Sequence, residues 1–298
     1  MVHETRGRHN NFDGLRLLGA LLVLFSHQFA LSGRWEPRFL GDHSFGNLGV
    51  LIFFSISGYL IAASWERDPS LKRFLAKRFL RMVPALAVAI PLAAGLVFSL
   101  RLWKFPENPL HALNGSLWTI PIEIYCYLIL VGVALLTKHS AVVIATLAVI
   151  AHLIFDLRNN FTVNFIVYFG MFFAVGALLY RFKRLQNCAH FFVLVGVCII
   201  AWSDDTALAL AVIVPPIVVF VGLRSWRPMN LACKYGDLSY GIYIYAWPVQ
   251  QIGVAYMPDA PYLLLFSVSL PVTMSLAWLS WHCIENRALK LKPLKPVT

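Results

Sequence analysis

The sequence predicts an all-α, polytopic integral membrane protein, about ten transmembrane helices in one bundle with both termini cytoplasmic. Of its 298 residues, 59% are hydrophobic and 13% charged, with a mean hydropathy of +0.70. A water-soluble domain carries about 25% charged residues, so roughly half the usual solvating surface is missing. The apolar residues also fall in runs near the ~20 residues that span hydrocarbon. Finally, with the N-terminus in the cytoplasm, 19 of the 25 Lys and Arg residues lie inside. Only Arg34, Arg38, Arg101, Lys104 and Arg158 lie outside, and Arg16 lies within the first run. That asymmetry is the positive-inside pattern. The net charge of +11 therefore encodes topology, which removes nucleic acid as a partner and leaves the lipid bilayer.

The expected spans are 12–33, 46–65, 83–100, 116–137, 140–156, 161–181, 188–203, 206–223, 236–256 and 261–283. The first, FDGLRLLGALLVLFSHQFALSG, is long and is followed by further spans, which distinguishes it from a cleaved leader. Before the third span, SLKRFLAKRFLRMVPAL reads as a short basic surface helix. The fourth takes Ser116 as its N-cap and carries Pro121 early, where a missing N–H matters least. Lys138 divides the fourth span from the fifth, and Asp204 with Asp205 divides the seventh from the eighth. Asp237 reads as the N-cap of the ninth. Residues 1–298 are expected as a single membrane domain with short tails at 1–11 and 284–298 and no fused soluble domain. The five cysteines have no paired spacing and read as packed or free thiols, so no metal is expected.

Topology leaves a few ionisable groups unexplained. Eleven helical positions advance three turns plus about 20°, so Arg16 and His27 share a face about 16 Å apart. His27 then lies about 22 Å into a core of about 30 Å, where an ionisable group is costly and points to function. Glu123 is the one carboxylate in the middle of an expected span, at a depth that matches His27. The expectation is that they pair, since a carboxylate-oriented His makes a good general base. An interhelical hydrogen bond that serves packing alone fits the same residues. Arg73, Lys77 and Arg81 recur at i, i+4 with Arg78 beside them. Such a stripe suits bidentate phosphate binding and equally suits topology or anionic lipid. His152 with Asp156, and Ser55 with Ser57 in FFSISGYLI, are weaker catalytic candidates. Asp42, His43 and His111 stand in outer loops where an acceptor could touch them. A transporter or flippase for a lipid-linked sugar or small molecule would use the same intramembrane groups.

Several motifs occur in order along nearly the whole chain: DGLRLLGALLVLFSH, GVLIFFSISGYLI, KRFLRMVP, SLWTIPIEIYCYL, LSYGIYIYAWPV and a terminal CIEN. In this order they resemble acyltransferase family 3, integral membrane acyltransferases of the bacterial cell-surface carbohydrate O-acetyltransferase type. The resemblance implies transfer of an acyl group, commonly acetyl, from cytoplasmic acetyl-CoA or another acyl-CoA to a hydroxyl of a cell-surface or lipid-linked carbohydrate. It implies residence in the bacterial inner membrane. By position it implies His27 as the catalytic histidine with Arg16 as its motif partner, Glu123 as the fourth-helix carboxylate, and Arg78 and Arg81 at the CoA donor, within the stripe that also holds Arg73 and Lys77. The chain departs from the family at Ala246, where members often carry a histidine.

Overall fold

The computed structural model describes residues 11–100, 113–154, 161–232, 234 and 236–293. Each of the ten expected segments contains a helix. These are α1 (Phe12–Leu31), α2 (Phe45–Arg67), α3 (Leu71–Ser99), α4 (Thr119–Leu136), α5 (Ser140–Ile154), α6 (Phe161–Arg181), α7 (Ala189–Ser203) and α8 (Thr206–Gly222). A short α9 (Arg227–Ala232) precedes α10 (Ser239–Tyr256) and α11 (Tyr262–Ser280), which runs through a π-helical turn, Trp281–Glu285, into α12 (Asn286–Lys290). Six helices, those beginning at Phe12, Phe45, Leu71, Thr119, Val163 and Tyr262, are long and apolar enough to cross a membrane; α5, α7 and α8 are apolar but shorter.

α2 is the centre of the bundle, packed between α1 and α6, with α10 on the far side of α1 and α8 on α6. Small residues make this possible. A Cβ on Gly58 would overlap the backbone carbonyl of Phe173, and one on Gly176 would overlap that of Ser55, so α2 and α6 touch backbone to backbone. Gly19 and Gly49 do the same for α1 and α2. In a membrane, where burying apolar surface between helices gains little, close backbone approach is a main source of helix association.

Two boundaries differ from expectation, and both matter for the site. The basic stretch is not a separate helix: α3 is continuous for 29 residues, with Pro84 and Pro91 inside it. At about 1.5 Å per residue it exceeds the hydrocarbon thickness, so its basic first turns project past one face. α4 begins at Thr119, not at a Ser116 cap, because residues 113–118 form an irregular turn inside the bundle. Asn114 Nδ2 donates to the Ile244 carbonyl (2.6 Å), its Oδ1 accepts from the Ser116 amide (2.9 Å), and Tyr243 OH donates to the Ser116 carbonyl (2.7 Å). Non-helical backbone is tolerated at such depth when protein groups satisfy it, as here. Starting α4 inside the bundle moves Glu123 toward the Arg16 end of the protein.

The divide between α7 and α8 is a turn with Asp204 at φ 53°, after which Asp205 caps α8 by accepting from the Leu208 amide (2.9 Å). His152 pairs with this Asp205 (2.7 Å), while Asp156, its expected partner, lies outside the described residues. In the 34–45 loop, Arg38–Leu40 and His43–Ser44 form a small hairpin, β1 and β2. His43 bonds Thr206 and Tyr168, both at 3.1 Å, and Asp42 pairs with Arg38. His111 lies outside the described residues.

The glycine contacts generate a test. Gly58→Leu forces α2 from α6 and lowers stability by about 1–3 kcal/mol, the usual cost of overpacking. Gly132→Ala, where nothing lies within 4 Å, leaves it unchanged. Thermal unfolding of the detergent-solubilised pair measures the difference.

Candidate active site

A cavity of about 110 Å³ opens among α1, α2, α3, α4 and the start of α10, with Arg16, Arg78, Arg81, Ser57, Glu123 and Tyr127 on its wall. Its charged end is organised by two carboxylates. Asp237, just ahead of α10, has one oxygen 2.5 Å from Arg81 Nη2 and 3.7 Å from Arg16 Nη1. Its other oxygen accepts from the Ser239 amide (3.2 Å) and hydroxyl, so it also serves the expected capping role. Glu285, buried in the π-helical turn, stands 3.7 Å from Arg81 Nη1 and accepts from Ser280 Oγ (2.9 Å). Arg16 is further held by Asp13 (2.9 Å), one turn before it. The Arg81 guanidinium lies 5.7 Å from the Tyr240 ring centroid.

Arg78 is different. It packs 5.8 Å from the Phe74 ring centroid, forms no ion pair among the described residues, and its Nε is buried without a hydrogen-bond partner. A guanidinium left in this state at a narrow cavity is suited to an incoming anion such as phosphate.

Arg73 and Lys77 stand elsewhere. Arg73 makes a bidentate contact with Asp68 (Nη2 to Oδ1 2.6 Å, Nε to both oxygens 3.0 Å), and Lys77 Nζ reaches the same carboxylate (2.7 Å). The triad locks the corner between α2 and α3. Bonds from Arg73, then from Lys77, hold the Asp68 carboxyl well below its ordinary range. These two cations, expected with the donor, are thus turned to the corner and away from the cavity wall.

The expected pairing of His27 with Glu123 does not occur. Glu123 accepts from Ser57 Oγ (2.6 Å) and from Tyr127 OH, one turn further along α4. His27 sits above the cavity, its ring edge-on to Trp247 with centroids 4.9 Å apart, and its Nδ1 buried without a hydrogen-bond partner. The displaced start of α4 is the reason: Thr119 bonds Tyr243 OH (2.5 Å), only four residues into α10, whereas Trp247 beside His27 is a turn higher. Cavity and histidine form two levels, with Arg16 and His27 about 16 Å apart along α1.

Sequence reading missed Asp237 and Glu285 as counter-ions and Ser57 and Tyr127 as the partners of Glu123. The i, i+4 spacing of Glu123 and Tyr127 was the available signal. Nothing local links Arg81 to a carboxylate 156 positions away.

The chain is thus a helical membrane protein with a cavity lined by three arginines below a half-buried histidine. Comparison with known proteins makes the class specific. The chain belongs to acyltransferase family 3, whose acyltransferase domain matches residues 9–282. It is 32% identical to an O-acetyl transferase of Shigella phage Sf6, over 95% of this chain and 96% of that one. It is 28% identical to nodulation protein 10 of Rhizobium leguminosarum bv. viciae, over 97% and 95%. A putative peptidoglycan O-acetyltransferase of Bacillus subtilis, YrhL, is 24% identical over 96% of this chain and 56% of its own length. No solved structure matches the chain. Family and relatives make it a multi-pass membrane O-acetyltransferase.

Two expectations follow from the ion pairs. Asp237→Asn leaves Arg16 and Arg81 short of a counter-ion and lowers unfolding stability by about 3 kcal/mol, measured by thermal shift in detergent. The Asp68 triad contributes fully above the unfolded carboxyl value of 3.8 and is lost only as pH falls through the lower folded value. Asp68→Asn therefore lowers Tm by the same amount at about pH 6 and about pH 8.

Proposed function

We propose that the protein transfers an acyl group, acetyl in the simplest case, from cytoplasmic acyl-CoA to a hydroxyl of a carbohydrate, lipid-linked or exported. The observation that carries this reading is Arg78, an arginine with no ion pair among the described residues on the wall of a cavity whose other cations are already neutralised. In this reading the nucleotide stays outside the cavity and a thin chain enters it. The CoA phosphates stay at the mouth on Arg78, and the pantetheine arm rises along α1. The positive-inside count supports a mouth on the cytoplasmic side, and residence in the bacterial inner membrane belongs to the same reading.

His27 acts as general base. It takes the proton of the acceptor hydroxyl as that oxygen attacks the thioester carbonyl. The new C–O bond forms, the C–S bond breaks, and the leaving thiolate recovers the proton from the imidazolium. Direct transfer is preferred to an acyl-histidine because it needs no second chemical step at the same ring. Glu123, held by Ser57 and Tyr127, does not orient His27. It contributes negative charge beside Arg78 and fixes the cavity wall between α2 and α4.

Purified protein in nanodiscs with radiolabelled acetyl-CoA tests this. His27→Ala removes label transfer by about a hundredfold or more while the protein inserts and unfolds normally; near-normal transfer in that variant overturns the role of His27. Arg78→Ala raises the KM for acetyl-CoA about tenfold with a smaller effect on kcat, the signature of a lost charge-assisted contact in donor binding.

A further inference from the structure

Beside His27 the seam between α1 and α10 is polar in an unusual way. Gln250 and Gln251 are wholly buried, and Trp247 is nearly so. Gln250 Nε2 donates to the Leu24 carbonyl (2.7 Å) and lies 3.2 Å from Gln28 Oε1, which ties α10 to α1. Its Oε1 has no partner, and neither do Trp247 Nε1, His27 Nδ1 or either end of the Gln251 amide. Exchanging O and N of Gln251 changes nothing, because both ends are unpartnered. Residues 247, 251 and 254 share one face of α10, and Trp247 and Val254 pack with Leu31 of α1, one turn beyond His27. Gly115 closes the other side of the Trp247 ring, where a Cβ would overlap it.

Five of the eleven buried side-chain atoms without a partner among the described residues thus belong to four neighbouring residues at the expected base. Packing flaws scatter; these lie on one stretch of α10 and on the α1 residue beside Trp247. Each unsatisfied group costs about 1–3 kcal/mol, and native proteins leave few of them. The chemistry of the set is also informative. An indole N–H only donates, an amide oxygen only accepts, and Gln251 offers one of each. A phosphate or carboxylate accepts only, so it would leave the amide oxygens unmet. A single alcohol could serve His27 and one other group. A ring of hydroxyls, each donor and acceptor at once, satisfies all of them.

We propose that this seam is the acceptor site, and that it takes a polyhydroxylated ring with one hydroxyl at His27 and its neighbours at Gln251, Gln250 and Trp247. The assignment rests on the acyl-transfer reading and adds where the acceptor binds and by which groups.

The test uses the full-length protein in nanodiscs and follows CoA thiol release from acetyl-CoA. Methyl glycosides of glucose, galactose and rhamnose are the probes, with cyclohexanol as a ring of similar size bearing one hydroxyl. At least one glycoside speeds release saturably and cyclohexanol does not. Gln251→Met and Trp247→Phe, which keep shape and remove hydrogen-bonding groups, each raise the half-saturating glycoside concentration about three- to tenfold. The half-saturating acetyl-CoA concentration stays within about twofold, which separates acceptor binding from a general structural defect. The assignment is overturned if no glycoside acts, if cyclohexanol serves equally, or if both variants keep the wild-type half-saturation. Release of no CoA under any condition overturns the acyl-transfer reading itself, and the seam with it.

Discussion

The carboxylate of Asp237 holds Arg81 of α3 and Arg16 of α1 at the foot of α10, and Glu285 extends the same contact to the end of α11. Four helices that are far apart in the chain are therefore registered by one cluster of charges. The desolvation cost of such groups is large, and their mutual attraction offsets it only when partners are close and further hydrogen bonds complete them. Ser239 and Ser280 supply those bonds, and the Tyr240 ring lies beside Arg81. Once α1, α3 and α10 are set at this level, the heights of the cavity, of Trp247 and of His27 all follow from the helical rise.

Carboxylates also determine which cations remain available. Of the basic groups in and before α3, Arg73 and Lys77 are committed to Asp68, and Arg81 is committed to Asp237 and Glu285. Arg78 shares their stretch of sequence and has none of their partners. Two carboxylate clusters, at Asp68 and at Asp237 with Glu285, thus hold the structural cations and leave Arg78 without an ion pair among the described residues. This division separates paired from unpaired cations more sharply than exposure does.

The helices were legible because the bilayer demands long apolar runs and turns are marked by charge, as at Lys138 and at Asp204 with Asp205. Arg16 and His27 were legible for the same reason: an ionisable group in an apolar run stands out. What could not be read locally was depth. The basic stretch before residue 83 read as a separate surface helix, yet α3 runs through it unbroken. Ser116 has the chemistry of an N-cap, yet its carbonyl is bonded to Tyr243 and α4 starts three residues later. That shift of about a turn moved Glu123 away from His27 and into the hands of Ser57 and Tyr127. Ion partners were hidden by separation, since Arg81 and Asp237 are 156 positions apart and only the folded bundle joins them.

The turn at residues 113–118 has a further consequence, for biosynthesis. Two of its buried polar groups bond α10: the Ser116 carbonyl accepts from Tyr243 OH, and the Asn114 side chain donates to the carbonyl of Ile244, made 130 residues later. Until that later segment has left the ribosome, the turn has neither partner and cannot rest stably within hydrocarbon. The first four helices therefore lack these two contacts until α10 is made. The part of the cavity wall that α10 supplies is therefore the last to be made.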